Sequence, residues 1–115
     1  MAMQLWFKKP LLDAIRAGTK TTTIRRWNRA FLKAGDRSYA PAFGFLAIHA
    51  VDQIELDQLT DADAKADGFE TATALRTALF ALFPDHATDG KKWFRVVFKP
   101  DLTPSAKKQM QESPY

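Results

Sequence analysis

The chain contains no cysteine among its 115 residues. Disulfides and thiolate-bound metals are therefore excluded, and a cytoplasmic location is the expectation. The two histidines, His49 and His86, stand far apart and outside any ligand-spaced cluster. No metal site is expected from them. The five glycines form no phosphate-loop or dinucleotide pattern. No apolar run is long enough to span a bilayer. The start, Met1-Ala2-Met3-Gln4, leads into no apolar segment, so neither a signal peptide nor a membrane partner is expected. No internal repeat is found.

What is present suits one small domain. Hydrophobic residues make up 46% of the chain, enough for a modest core. The formal charge of +4 favours anionic partners, nucleotides or RNA, without requiring them. Pro100 and Pro104 divide a domain at 1–100 from a polar tail at 101–115. Lys107 and Lys108 place part of the positive charge in that tail.

The pattern along the chain predicts mixed structure. Gln4–Phe7 reads as a first strand. Pro10 opens a helix whose Leu11, Leu12 and Ile15 form one apolar stripe, and Gly18 ends it. A strand follows at Thr21–Trp27, then a Gly35-Asp36 turn and a short strand at Arg37–Ala40. Phe43–Leu56 is the longest β-like region. Phe45, Ala47, His49 and Val51 alternate with Leu46, Ile48 and Ala50, and both sets are largely apolar, which predicts burial on both faces. Thr60-Asp61-Ala62-Asp63 reads as a capped helix start, stopped by Gly68. A second helix is expected from Thr71 to Phe83, with Leu75, Leu79 and Leu82 on its buried side. In the last strand, Phe94, Val96 and Phe98 alternate with Trp93, Arg95 and Val97. The order is not βαβ repetition, and it predicts an α+β domain.

The segment Gly18-Thr19-Lys20-Thr21-Thr22-Thr23-Ile24-Arg25-Arg26-Trp27 concentrates the chemistry. Strand alternation puts Thr21, Thr23 and Arg25 on one face, with Thr22, Ile24 and Arg26 on the other. Lys20 stands where the chain leaves the turn. In a partly desolvated pocket near arginines, its ammonium is disfavoured, and a neutral amine can take a proton from a hydroxyl. The competing reading is a solvated loop lysine. Arg25 offers a bidentate fork, whereas Arg26 suits a surface ion pair. Trp6, Phe7 and Trp27 are possible stacking platforms for a pyrimidine, with core packing expected for at least two of them.

The spacing Gly18-x-Lys20-x-x-x-x-Arg25 resembles the signature of the ASCH domain, a relative of the PUA domain. Thr23 stands where many members carry Glu. That variant is similar to the small bacterial N4-acetylcytidine amidohydrolases, whose catalytic set is Lys, Thr and a distant carboxylate. Lys33-Ala34-Gly35-Asp36 and Asp67-Gly68-Phe69 extend the resemblance to roughly residues 4 to 99. It implies a PUA-like small mixed β-barrel with peripheral helices.

The resemblance also implies hydrolysis of the exocyclic amide of N4-acylated cytosine or cytidine, with no metal or organic cofactor. Lys20 is then the base, Thr23 the nucleophile, and Asp67 the carboxylate, with Glu70 as fallback for Asp67. Thr21 is the rival hydroxyl on Thr23's face. Arg25, Phe7, Lys8, Trp27, Thr21 and Arg26 are the expected substrate-binding residues. Backbone N–H groups near Gly18 or Gly68 are candidates for holding an oxyanion. The partner is then a nucleoside or nucleobase, and a monomer is expected. The other reading is an RNA-binding or ribonuclease module, which fits the basic balance.

Overall fold

The computed structural model describes residues 3–101. Helix α1 spans Lys9–Ala17, with Pro10 in its first turn, where the missing N–H costs no hydrogen bond. It buries Leu12 and Ile15. Gly18 ends the helix in the left-handed region at φ 83°, and its N–H bonds back to Ile15 O. The N–H groups of Thr19 and Lys20 then both turn onto Ala14 O, at 3.0 and 3.2 Å. This tight exit aims Lys20 at the interior before the first strand starts.

That strand, β1, covers Thr22–Trp27 and is rich in β-branched residues. β2 is Arg37–Ala40, β3 Gly44–Ile54 and β4 Lys92–Pro100. The sheet order is β1-β4-β3-β2, with every pair antiparallel. The sheet curls into a half-barrel. A single 3₁₀ turn at Leu56–Gln58 leads to α2, Asp61–Asp67, and α3, Ala72–Leu82. Thr60 caps α2 reciprocally with Asp63, and Thr71 caps α3 through Ala74 N. Gly68 closes α2 at φ 102°.

The sheet separates two apolar clusters. On one face Trp27, Phe94, Val96 and Phe98 pack with Leu46, Ile48 and α1. On the other, Ile24 and Trp93 pack with Leu56, Leu59 and the helices α2 and α3. The alternation expected along β1 and β4 produces this division directly.

Three expectations are corrected. Gln4–Phe7 forms no strand: Leu5 N–H bonds Tyr39 O, while Met3 O is taken by the Ser38 hydroxyl, so no ladder develops. β3 is not buried on both faces. Leu46 and Ile48 are buried, but His49 is exposed at a register shift between Ile48 and Ala50. This bulge inverts the alternation, so Val51 joins the Leu46 side and Ile54 joins the helix side. Leu82 is 59% exposed rather than buried: it is the last residue of α3, which stops one residue short of the expected Phe83. The tail expected at 101–115 lies, beyond Asp101, outside the described residues.

Candidate active site

A cleft of about 570 Å³ opens beside β1, between the segment leading into α1 and the flank of α3. Lys20, Thr23, Arg25 and Asp67 meet in it. Lys20 is 2% exposed. Its Nζ donates to Thr22 O at 2.7 Å, Asp67 O at 2.7 Å and Asp67 Oδ1 at 2.9 Å. These acceptors use all three donors of an ammonium. Asp67 is the last residue of α2, so its carbonyl is one of those the helix leaves unpaired, and the lysine caps it.

The second carboxylate oxygen of Asp67 accepts from the Thr22 hydroxyl at 3.3 Å. Thr22 thus belongs to the site, although the sequence reading did not single it out. It sits on the α2 face of β1, and the signal lay in the position of Asp67 rather than in local spacing.

Burial is the largest influence on both ionisable partners. It holds the Lys20 amine below its ordinary 10.5, against the Asp67 charge and hydrogen bond that favour the ammonium, with a smaller repulsion from Arg25. It pushes the Asp67 carboxyl above its ordinary 3.8, against its bonds to Lys20 and Thr22. Both shifts narrow the gap between the two groups.

Thr23 and Arg25 share a face, as strand alternation requires. Arg25 Nε donates to Thr23 Oγ1 at 3.1 Å, and its Nη2 donates to Trp6 O at 2.9 Å. Burial lowers the Arg25 guanidinium to about 10, with the Asp67 charge opposing. It is still a cation at neutral pH. Because the Thr23 oxygen accepts from a cation, its own proton is left for a base, and developing negative charge on it is stabilised. The Phe7 ring lies 4.9 Å from Arg25 Cζ and 5.9 Å from Lys20 Nζ.

Among the other expected residues, Phe7 and Lys8 line the cleft, and Trp6 joins them at its mouth with 66% exposure. Trp27 does not. It is buried against Phe31 and Phe94, on the sheet's core face. Thr21 is absent from the lining, and its backbone instead joins Ala66 O to Phe98 N. Arg26 points to the opposite face, where it pairs with Asp89 at 3.0 Å and lies over Trp93. Glu70 is exposed, and Asp67 is the carboxylate at Lys20. The N–H groups of Gly18 and Gly68 are both consumed by helix carbonyls, so neither is free for an oxyanion. Among the described residues no group of three or more His, Cys, Asp or Glu is placed to hold a metal ion. No helix of those residues is long and apolar enough to cross a membrane.

This architecture, a curled antiparallel half-barrel with three helices and α+β order, matches the fold of solved ASCH-domain structures. An ASCH domain from Lactobacillus crispatus JV V101 superimposes with a TM-score of 0.69, over 84% of this chain and 77% of its own, at 13% identity. A protein of Enterococcus faecalis V583 gives 0.65 over 86% of this chain and 80% of its own, at 14% identity. A variant of an ASCH protein from Zymomonas mobilis gives 0.57 over 85% and 66%, at 14% identity. No family model matches the sequence, and neither does any curated protein.

Proposed function

We propose that this cleft hydrolyses the exocyclic amide of N4-acylated cytosine or cytidine. The observation that carries the reading is the buried Lys20–Asp67 pair beside a threonine whose oxygen accepts from Arg25. Such a set supplies a base of lowered pKa, a hydroxyl and a fixed cation in one water-poor space. The resemblance of the Lys20–Arg25 segment to amidohydrolases that carry threonine at this position supports the same assignment.

In the proposed reaction, Lys20 accepts the Thr23 proton as Oγ1 attacks the acyl carbonyl. In the resting arrangement the amine is fully engaged, so the reactive form is the neutral amine, which has lost one proton to solvent and given up one of these bonds. Arg25 stabilises charge on the reacting oxygens. The C–N bond then breaks, N4 takes a proton from the Lys20–Asp67 pair, and cytosine or cytidine leaves as the free amine. Water attacks the Thr23 ester, giving the carboxylic acid and restoring the hydroxyl. Phe7 and Trp6 flank the base.

The test is incubation of the purified protein with free N4-acetylcytidine, without added metal. Conversion to cytidine at a rate little affected by salt is expected. A folded sample that yields no cytidine, and binds RNA with a steep salt dependence, would replace this reading with the RNA module.

A further inference from the structure

The polar side chains of the cleft come from β1 and its entry, the end of α2 and the segment before α1. Lys20, Thr23, Arg25 and Asp67 cluster on the β1 side, and Lys8 stands with Phe7 on the segment before α1. Another wall belongs to α3 and its exit. It presents Leu75, Ala78, Leu79, Leu82 and Phe83, with no polar side chain. Leu82 carries this wall out to solvent. A volume of about 570 Å³ suits a whole drug-sized molecule. The methyl of an acetyl group would leave most of the α3 wall untouched.

A pyrimidine nucleoside has ring acceptors and a sugar, which need polar partners or water. Arg25 and Lys8 provide such partners, together with the aromatic faces of Trp6 and Phe7. An amide whose carbonyl sits at Thr23 must then send its acyl group toward α3. We infer that the site is built for amides with bulky apolar acyl groups, medium-chain or aryl, in preference to acetyl. This inference rests on the amidohydrolase reading and adds the identity of the acyl half. Each methylene buried against the α3 wall gives roughly a fourfold gain in transition-state binding.

The test compares kcat/KM for N4-acetylcytidine and N4-hexanoylcytidine in the wild-type chain, in Ala78→Phe and in Leu82→Ser. The expected hexanoyl-to-acetyl ratio is on the order of tenfold or more in the wild type. It falls toward unity in Ala78→Phe, which fills the apolar end. It falls severalfold in Leu82→Ser, a change at an exposed position that folding tolerates. A wild-type ratio at or below unity, or a ratio that neither variant lowers, overturns the inference while leaving the hydrolase reading standing. If neither compound is cleaved, the hydrolase reading falls, and calorimetric binding of the two uncleaved compounds decides the pocket. Tighter binding of the hexanoyl compound, lost in Ala78→Phe, supports an apolar acyl site. Equal binding overturns it.

Discussion

Lys20 Nζ and Asp67 Oδ1 lie 2.9 Å apart, both buried, and are brought together across 47 residues of chain. The contact joins the exit of α1 to the last residue of α2, so the same pair ties the fold and equips the cleft. A buried ion pair is costly to assemble and costlier to break on one side.

Breaking it should cost stability in a non-additive way. Asp67→Ala is expected to destabilise by about 3 kcal/mol in urea unfolding, because the amine and the Thr22 hydroxyl both lose their partner. The double variant Lys20→Met with Asp67→Leu should lose less than the two single changes added together. Additive losses would mean that the pair does not act as a unit.

The pH dependence of turnover follows from the lysine. A base works as the neutral amine, so kcat/KM should rise with pH through an inflection below the usual lysine value of 10.5. The Asp67 charge raises the Lys20 pKa. Asp67→Asn removes it, so whatever activity is left should show its inflection at lower pH. An inflection that stays in place on this substitution would detach the observed pH profile from Lys20.

Thr22 should act through Asp67. Thr22→Val removes a hydrogen bond that favours the carboxylate, so the Asp67 carboxyl should titrate still higher, as read by carbon NMR of the labelled side chain. Loss of one such bond, at about 1 kcal/mol, predicts a fall in kcat of roughly fivefold. Thr22→Ser should restore both. A role in packing alone would leave the carboxyl unmoved and would not be rescued by serine.

The hydroxyls separate by position. Thr23→Ala should lower kcat by roughly a thousandfold or more, as removal of a nucleophile does. Thr21→Ala, outside the cleft lining, should retain most activity. Thr23→Glu should also abolish amide hydrolysis. Equal losses at Thr21 and Thr23 would contradict the assignment.

Acid stability reports on other carboxylates. Asp63 is lowered mainly by the Thr60 backbone N–H, Asp36 by that of Lys33, and Asp89 by the Arg26 side chain. A folded pKa below the unfolded value means that the unfolded chain binds more protons in that interval. Stability is therefore complete above the ordinary 3.8 and is lost as pH falls through the lower folded values. Asp67, raised rather than lowered, runs the other way. The urea midpoint should drop below about pH 4, and Asp63→Asn should flatten that drop.

Much of this was legible in the sequence because it depends on local rules. Period-two alternation placed Thr23 with Arg25 and separated Phe94, Val96 and Phe98 from Trp93. Pro10 and Gly18 bounded α1, and Thr60 and Gly68 bounded α2. Long-range events were not legible. The bulge at His49 inverts β3, and nothing in an apolar run marks where one residue is skipped. Trp27 looked as suited to a ligand as Phe7, and only its pairing with Phe31 and Phe94 sends it to the core. Thr22 seemed to face away from the chemistry until Asp67 arrived on its side from α2. The sequence placed Lys20 only at the exit of a turn, and the double acceptance at Ala14 O supplies its inward course.

The most direct measurement is the rate of cytidine release from N4-acetylcytidine by the wild-type chain and by Lys20→Met, which keeps most of the lysine stem. Circular dichroism would establish that both are folded. The account predicts turnover by the wild type and none above background by the variant. A folded Lys20→Met protein that turns over at the wild-type rate would contradict it.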